Sequence, residues 1–580
     1  MDSDYSARVV LCWHMHQPVY QDQQSGTFMA PWVYLHAIKD YSDMAAHLEA
    51  HPNAKAVVNF APVLLVQIDE YLKQIDQWRQ SGTPFTDPLL AALVQEKPTD
   101  PLSPEYLELV KMCLRVNTER IINRFDSFRQ LAKIANYYCD KPQTRGYFGE
   151  QFLVDLVVWY HLGWMGEFVR RDNDVVRKLM DKGRYFSVED RNALMDVIAD
   201  IMATICPRYR ALAEEQQIEL AVSPYAHPML PLLIDLESAR EAQPDVELPQ
   251  APVYPGGRER AQWHLRQARR VFKDFFGMEP TGCWSSEGGL SKPVLELLEE
   301  EGFQWTAGGD SVLYNSLAKN VDANSGGEQS SEDHNARPHA AVRFGDNTLS
   351  VFFRDDGLSD LIGFNYSDWH AEDAVSNLVH HLENIAQSAS TQTPCVISII
   401  LDGENAWEYY PENGIHFLDE LYRRLEAHPT LKLTTFSEAV SASQNHRVHL
   451  PEIVAGSWIY GTFSTWIGDP DKNRAWDLLC EAKQQYDAVM AEGVLTPEQV
   501  ASAEHQLALC EGSDWFWWFG DYNPPETVSA FEHLYRRHLE NLYALLDKPV
   551  PQHVYDRISQ GGGAPERGGA MRHGHSEQDR

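Results

Sequence analysis

The sequence lacks any stretch that is long and apolar enough to cross a membrane. No run of about eighteen apolar residues occurs, so no transmembrane helix is expected. The first ten residues, MDSDYSARVV, also lack the basic start, apolar core and small-residue cleavage site of a signal peptide. We therefore expect a cytoplasmic protein without a membrane partner.

Cysteine is scarce, and positive charge is outnumbered by negative charge. The eight cysteines are scattered and none lies in a CxxC pair, which indicates reduced thiols and neither a disulfide framework nor a zinc module. The 49 Lys and Arg residues face 84 Asp and Glu residues, for a net charge of -35. Binding to nucleic acid requires a basic face, so the charge excludes a nucleic-acid partner.

Several catalytic signatures are also missing. The HExxH, Gly-rich phosphate-loop and GxSxG motifs are absent, which disfavours metalloproteases, nucleotide-binding enzymes and serine hydrolases. Aromatic residues are plentiful, with 16 Trp. Indole rings suit the flat C–H faces of sugars, although at least half of these side chains are expected in the core.

Short apolar runs alternate with longer helical patterns, which predicts an α/β protein with a parallel sheet. Seven or eight such runs favour a (β/α)-type barrel, whose chemistry lies at the carboxyl ends of its strands. The runs are 9–13, 56–60, 218–222, 282–284, 303–307, 350–353, 396–401 and, less regular, 431–435.

The pattern changes along the chain in a way that predicts two domains and a tail. Residues 1–440 are expected to form the catalytic barrel, with a helical insertion around 100–215. Residues 441–558 are expected to form a C-terminal α-helical domain, since the sequence becomes wholly helical from about 470. Residues 559–580 are rich in Gly and charge, which predicts a disordered tail.

Two acidic motifs follow predicted barrel strands. In ILDGENAWEYY, Asp402 and Glu404 point to the same side of a strand and raise each other's pKa, with Trp407 on the flank. In GCWSSEGG, Glu287 follows a short strand, and Trp284 could form a sugar platform. The alternatives are a metal site or solvated loop for the first motif and a helix start for the second.

Histidines follow the first and third predicted strands. His14, His16 and Gln17 in WHMHQP could donate hydrogen bonds to sugar hydroxyls. Alternating histidines also bind metals, but no carboxylate or cysteine follows at ligand spacing, so we predict no metal and no other cofactor. Glu219 and His227 flank the end of the third run, where a lone histidine is more often structural.

The segment GSDWFWWFGD ends a helix of the C-terminal domain. Asp514 beside Trp515 and Trp518 resembles a polar contact on an aromatic shelf, although some of these aromatics must be core. A helical domain folded over the barrel mouth would bring the segment to the site.

Together these motifs resemble glycoside hydrolase family 57, whose motifs occur here in the same order. The likeness spans roughly residues 8–548. A further block, 456–476, which contains Tyr460, resembles the branch of α-amylase- and amylopullulanase-type members. The five motifs are HMHQP (14–18), IELAVSPYAHP (218–228), CWSSEG (283–288), LDGEN (401–405) and GSDWFWW (512–518).

The resemblance implies a (β/α)7-type barrel, a C-terminal helical domain, α-glucan substrates, retention of configuration and no catalytic metal. It places the nucleophile on Glu287 and the general acid/base on Asp402, with the other motif residues and Tyr460 binding substrate. Retaining enzymes hold these carboxyls about 5 to 5.5 Å apart. Glu287 should then be ionised and Asp402 protonated in the free enzyme, with Glu404 and the histidines setting the difference.

The expected activity is hydrolysis of α-1,4 bonds in starch- or glycogen-type glucans or maltodextrins, and cleavage of α-1,6 bonds is left open. A 4-α-glucanotransferase or branching enzyme with the same catalytic pair is the alternative, since only the acceptor differs. A non-catalytic glucan-binding protein is a further alternative. The oligomeric state does not follow from the sequence.

Overall fold

A barrel of seven parallel strands forms the centre of the molecule. The computed structural model describes residues 6–97, 99–323, 338–389, 393–444 and 446–563. Seven strands pair in the order β1-β2-β3-β4-β5-β7-β8, and β8 pairs again with β1 to close the ring. The predicted (β/α)7 barrel is confirmed. The barrel strands are β1 (Ala7–Met15), β2 (Ala56–Phe60), β3 (Ile218–Val222), β4 (Gly282–Cys283), β5 (Trp305–Gly309), β7 (Ser350–Arg354) and β8 (Val396–Asp402).

Three other short strands lie outside the ring. The eighth run of the sequence forms β9 (Leu431–Leu433), which pairs with the beginning of β1. The strand β6 (Val342–Phe344) runs antiparallel to β7 and parallel to β10 (Val448–Leu450). The barrel strands themselves are buried at nearly every position, as expected for a parallel sheet covered by helices.

Helices follow the barrel strands and cover the outside of the barrel. Shorter π or 3-10 turns occupy Ala37–Tyr41, Leu236–Arg240, Ser286–Gly288, Leu361–Asn365, Tyr366–Asp368, Trp407–Tyr409 and Pro411–Gly414. The α-helices are Trp32–His36, Ser42–Ala50, Pro62–Ser81, Pro88–Val94, Leu230–Ile234, Gly257–Phe276, Lys292–Glu300, Asp310–Ala323, Asp356–Asp360, Ala371–Ser388, Ile415–Glu426 and Phe436–Ser443.

A helical excursion separates β2 from β3, in the region where the sequence predicts an insertion around 100–215. It also holds turns at Thr118–Ile122 and Pro142–Tyr147. Its α-helices are Pro104–Met112, Asp126–Asp140, Glu150–Trp164, Glu167–Asp172, Asp174–Lys182 and Val188–Glu214.

The C-terminal region is helical. The second of its helices begins at the capping box formed by Thr496 and Gln499, a start that the sequence indicates. No helix in the described part of the chain combines the length and the apolar character needed to span a bilayer. The helices are Pro470–Glu492, Pro497–Cys510, Ser513–Trp518 and Pro525–Leu545, followed by a turn at Gln552–Tyr555.

The predicted tail is only partly described. Ser559 donates its backbone N–H to the buried carboxylate of Glu532, and the N–H groups of Gly562 and Gly563 bond the Asn523 carbonyl. Residues 559–563 are therefore held against the helical region. Residues 564–580 lie outside the described residues, so disorder there stays a prediction.

Candidate active site

The strand register gathers polar side chains at one mouth of the barrel. His14, next to the end of β1, pairs in register with Asn59 of β2 on one side and with Asp402 of β8 on the other. These carboxyl ends of parallel strands share one edge, where barrel enzymes carry their chemistry. The register alone therefore places one predicted catalytic carboxyl beside the histidine motif.

Glu287 occupies a backbone conformation that few non-glycine residues adopt. Its φ is 59° and its ψ is 23°, in the left-handed region, which costs on the order of 1–3 kcal/mol for such a residue. The strain is held by the chain around it, since the Trp458 N–H donates to the Glu287 carbonyl at 3.1 Å. A strained carboxylate directly after a barrel strand is typical of a functional position.

Both oxygens of the Glu287 carboxylate receive a hydrogen bond. The Ser513 hydroxyl donates to Oε1 at 2.8 Å, and the Trp458 indole N–H donates to Oε2 at 3.3 Å. Two donors favour the ionised form of an acid. Ser513 comes from the C-terminal helical region, so that region completes the surroundings of Glu287.

Three histidines form a stack beside Glu287. The ring centroids of His16 and His227 are 4.0 Å apart, and those of His14 and His227 are 5.1 Å apart. The stack brings together side chains from the first and second sequence motifs. Trp284, predicted as a sugar platform, is fully buried and packs against both His14 and Trp458, so its ring supports the histidine stack and has no free face for a sugar.

Each histidine of the stack has one ring nitrogen held by a partner. His14 Nδ1 lies 2.6 Å from Oδ1 of the Asn59 side chain. This amide oxygen can only accept, so Nδ1 carries the proton. His227 Nδ1 lies 3.0 Å from the Ser513 hydroxyl oxygen. Because the Ser513 O–H donates its hydrogen bond to Glu287, the Ser513 oxygen accepts a hydrogen bond from His227 Nδ1–H. His16 Nε2 lies 2.9 Å from Asp514. The fold thus determines the tautomers of the three rings.

The opposite nitrogens of the stack are buried and lack a hydrogen-bond partner among the residues that the structure describes. They are His14 Nε2, His16 Nδ1 and His227 Nε2. Burial lowers the pKa of His14 to about 3 and that of His227 well below its usual value, so both rings are neutral. The Nε2 atoms of His14 and His227 therefore act as hydrogen-bond acceptors. The sequence suggests His14, His16 and Gln17 as donors to sugar hydroxyls; the neutral His14, whose proton is held by Asn59, accepts such a hydrogen bond instead.

A metal ligand set is one alternative use of these residues. His16, His227 and Asp514 offer ligand atoms within 4.8 Å of one another. The sequence offers no carboxylate near the histidines at ligand spacing, but the fold places one there, because Asp514 of the C-terminal helical region lies beside His16 and His227. The rings of His16 and His227 are nearly parallel, at 24°, so their lone pairs run side by side and do not converge on a common point. The geometry suits hydroxyl groups better than a metal ion, and the absence of a metal stays a prediction.

Asp402 and Glu404 have different surroundings at the end of β8. Asp402 accepts a hydrogen bond from the Asn405 amide at 2.8 Å. Glu404 is buried and accepts from the Gln17 amide at 3.1 Å, while its other oxygen has no described partner. Burial, followed by the charges of Asp402 and Asp40, raises the pKa of Glu404 well above its usual range. These influences favour a proton on Glu404, which follows Asp402 by two residues in the chain.

The pKa values of the two predicted catalytic carboxyls are both raised. Burial and then Asp514 raise the pKa of Glu287 to about 8, against the lowering effects of Ser513 and His16. Burial raises the pKa of Asp402, opposed by Asn405 and His16. Burial and the charge of Asp514 outweigh the Ser513 hydrogen bond and favour a proton on Glu287 in the empty site, opposite to the ionised state expected from the sequence.

His16 connects the charges of the site. Burial lowers its pKa, but the attraction of Asp514, Glu287 and Asp402 outweighs burial, and the net direction is upward. Both predicted catalytic carboxyls therefore lie within electrostatic reach of one imidazole. A proton on His16 favours ionisation of both carboxyls.

Glu219 does not belong to this cluster. It lies near the beginning of β3, at the opposite end of the barrel, where its carboxylate accepts from the Trp305 indole at 2.7 Å and from the Ser437 N–H at 2.8 Å. A carboxylate with these partners holds the lower end of the barrel together. Its prediction as a substrate-binding residue is wrong because it lies on the wrong end of its strand.

Two of the predicted sugar platforms are core residues. Trp407 is buried against Trp13, and its indole N–H donates to the Gly403 carbonyl. Trp515 is buried against His538, and its indole N–H donates to the Leu509 carbonyl. Neither ring has a free face for a sugar.

Trp518 and Tyr460 remain partly accessible. The Trp518 ring stacks on Phe531 at 4.7 Å, which leaves one face at most for a ligand. Tyr460 has a φ of 58° in the loop that also carries Trp458. Their roles in substrate binding stay predictions.

Four residues of the site were not singled out from the sequence: Asn59, Trp458, Ser513 and Arg354. Asn59 is a single polar side chain in an apolar strand, and Trp458 and Ser513 lie within blocks that carry the family resemblance. Arg354 ends β7, bonds Asp356 at 2.6 Å and Asp360 at 2.8 Å, and lies 5.6 Å from the Trp458 ring. Of these four, Asn59 has a signal in the sequence, because a polar residue within an otherwise apolar strand indicates a position in a site.

The raised pKa of Glu287 predicts an alkaline activity profile. If the reaction needs ionised Glu287 and protonated Asp402, the acidic limb of the kcat/KM profile should have its midpoint near pH 8, and kcat/KM should fall again where Asp402 loses its proton. Ser513→Ala removes a hydrogen-bond donor that favours ionised Glu287, so the acidic limb of the kcat/KM profile should move to higher pH. Ser238→Ala, which truncates another buried serine, is the control. A limb that stays in place in Ser513→Ala would contradict the assigned hydrogen bond.

The comparisons with known proteins agree with this fold. The model of glycosyl hydrolase family 57 matches residues 10–454, more than half of the chain. No curated protein matches the chain. Three solved structures are similar: branching enzymes of this family from Pyrococcus horikoshii and Thermococcus kodakaraensis, each 15% identical with a TM-score of 0.54, and the α-amylase AmyC from Thermotoga maritima, 12% identical with a TM-score of 0.54. Each similarity covers 93% of this chain, and 90%, 90% and 93% of the other chains respectively.

Proposed function

Since the chain belongs to glycosyl hydrolase family 57, we propose that it is a retaining α-glucan hydrolase with Glu287 as nucleophile and Asp402 as general acid/base. Its substrates are α-1,4-linked glucans of the starch or glycogen type or maltodextrins. The observation that carries the proposal is the histidine stack that joins the two carboxyls: His227 Nδ1 lies 3.7 Å from Glu287 Oε1, and His14, stacked on His227, pairs in register with Asp402.

The first chemical step uses the two carboxyls in opposite states. Glu287 attacks the anomeric carbon as a carboxylate, and Asp402 gives its proton to the departing glycosidic oxygen. Ser513 and Trp458 keep the attacking carboxylate oriented through their hydrogen bonds. In the free enzyme, the proton of Glu287 must leave before attack, and His16, whose pKa the neighbouring carboxylates raise, can accept it.

The second step reverses the proton transfer. Asp402, now ionised, takes a proton from water, and the oxygen attacks the anomeric carbon to release Glu287. Two inversions at one carbon restore the original configuration. The neutral His14 and His227 present acceptor nitrogens that suit the hydroxyl groups of the sugar bound between the carboxyls.

The test of hydrolysis is a product analysis on maltoheptaose. We expect shorter chains together with an increase in reducing ends, because water intercepts the covalent intermediate. Products both longer and shorter, with reducing ends constant, would show a 4-α-glucanotransferase. New α-1,6 linkages would show a branching enzyme, and pullulan tests whether α-1,6 bonds are cleaved. An inert wild type with measurable glucan binding would favour the non-catalytic alternative.

A further inference from the structure

We propose that Glu511 is a positioning residue that acts through Ser513 on the hydrogen bond to Glu287. Glu511 lies between the helices Pro497–Cys510 and Ser513–Trp518, two residues before Ser513. The proposal rests on the proposed role of Glu287, and it assigns a function to a buried ion cluster outside the catalytic pocket.

The Glu511 carboxylate is completely buried and fully bonded. Arg260 donates to its two oxygens from Nε and Nη2, each at 2.8 Å, and His264 Nε2 lies at 2.7 Å. The Tyr254 hydroxyl donates to the same carboxylate. Arg260 and His264 both lie on the helix Gly257–Phe276 of the barrel, so this cluster fastens the helical C-terminal region to the barrel.

His264 also holds the barrel loop that carries His227. The Ala226 N–H donates to His264 Nδ1 at 3.3 Å, and the Tyr225 N–H donates to the His264 carbonyl at 3.1 Å. Since Nδ1 accepts, Nε2 carries the proton that bonds Glu511. One imidazole therefore fixes both the loop before His227 and the segment before Ser513.

These two segments meet at Glu287. The Ser513 N–H donates to the His227 carbonyl at 2.8 Å, and Gly512 forms a β-bridge with Pro228. The Ser513 hydroxyl then lies between His227 Nδ1 and Glu287 Oε1. A displacement of Glu511 would thus change the position of the one hydroxyl that bonds the proposed nucleophile.

Stability alone does not explain a cluster of this kind. A buried ion pair contributes about as much as well-packed apolar residues of the same volume, because desolvation offsets the attraction. Burial raises the pKa of Glu511, but Arg260 and His264 outweigh it and lower the pKa to about 2. Glu511 is therefore a permanent anion at working pH, which suits a fixed anchor and excludes a proton carrier.

The test is Glu511→Gln, which keeps the shape of the side chain and removes its charge. We expect kcat on maltoheptaose to fall about tenfold or more with KM changed less than about twofold, since the binding surface is untouched. The titration of Glu287, which faces His16, His227, Asp402 and Asp514, should move to higher pH. The double variant Glu511→Gln/Ser513→Ala should be no slower than Ser513→Ala alone, because both changes act on one hydrogen bond.

Glu532→Gln is the matched control. Glu532 is also buried in the C-terminal region, but its carboxylate accepts from the Ile558 and Ser559 N–H groups, away from Glu287. It should lower stability without moving the titration of Glu287. If Glu511→Gln does not fold, Arg260→Lys removes the two-pronged contact, keeps the charge and should give the same changes.

The outcomes separate this proposal from the proposed function. The titration of Glu287 is read directly from the infrared difference spectrum between each protein and its Glu287→Gln counterpart, which needs no activity. An inert wild type whose Glu287 titration still moves in Glu511→Gln would overturn the hydrolase and support the positioning role. A loss of stability without such a shift, or multiplicative losses in the double variant, would overturn the positioning role.

Discussion

Replacing Glu287 with glutamine is expected to lower kcat on malto-oligosaccharides by about 10⁴-fold or more. The amide has the size of the carboxylic acid, but it cannot form the covalent glycosyl intermediate. The measurement is the rate of appearance of reducing ends under saturating maltoheptaose. Glu219→Gln is the control, since its carboxylate lies at the other end of the barrel and should leave kcat within about twofold.

The same variant should become more stable relative to wild type as the pH increases. Glu287 has a folded-state pKa of about 8, above its ordinary value of 4.5. Between these values the folded protein holds a proton that the unfolded chain releases, so wild-type stability decreases as pH rises from about 4.5 to about 8. Glu287→Gln lacks this dependence, and its Tm should exceed that of wild type increasingly up to pH 8. A difference in Tm that is constant with pH would contradict the raised pKa.

Replacing Asp402 with asparagine is expected to lower kcat/KM on maltoheptaose by about 10²- to 10⁴-fold, the range for removal of a general acid. The loss should be much smaller on an aryl α-glucoside with a good leaving group, because such a group departs without a proton. The measurement compares the two substrates at one pH, with Asn405→Ala as a control that keeps the carboxyl.

Azide distinguishes the roles of the two carboxyls. Azide needs no base, so it should restore turnover of the aryl substrate by Asp402→Asn and give an α-glucosyl azide through the intact Glu287. With Glu287→Ala, azide enters from the vacated face and the product should be the β-azide. Exchange of these two outcomes would mean that nucleophile and acid/base have been assigned the wrong way round.

The strand pattern of the barrel was accessible from the sequence because it depends on local composition. Runs such as 56–60 and 396–401 are apolar on both faces, and a parallel barrel buries both. The number of strands was not fixed, since 431–435 is also a short β-type run, although a less regular one, and it pairs with the beginning of β1 outside the ring. Closure of the barrel depends on the pairing register between strands that are distant in sequence. A single apolar run carries no information about that register.

The site was predictable where a side chain lies at the carboxyl end of a strand or a few residues after it. His14, Glu287 and Asp402 lie at the mouth because the end of the strand fixes their position. Glu219 is a glutamate like Glu287, but it lies at the beginning of its strand. A short motif does not show at which end of a strand a residue lies. Trp515 and Trp407 show that aromatic content alone does not separate core from binding surface.

Ionisation was the least predictable property. The charge state of Glu287 depends on its burial and on Asp514, Ser513 and His16, which come from the two ends of the chain. None of these contacts has a local sequence signal. Ser513, which makes the shortest bond to Glu287, looks like an ordinary helix-start serine in the sequence.

The hydrogen bond between His16 and Asp514 joins residues 498 positions apart. A ribosome adds about 5–20 residues per second, so roughly half a minute to two minutes separate the synthesis of these two side chains. In the last part of that interval the nascent chain already contains Glu287 and Asp402 but not Ser513 and Asp514, which complete the surroundings of Glu287. Completion of the proposed catalytic centre thus waits for the synthesis of Ser513 and Asp514, and a chain released before them would carry both carboxyls without these two groups, which act on the protonation of Glu287.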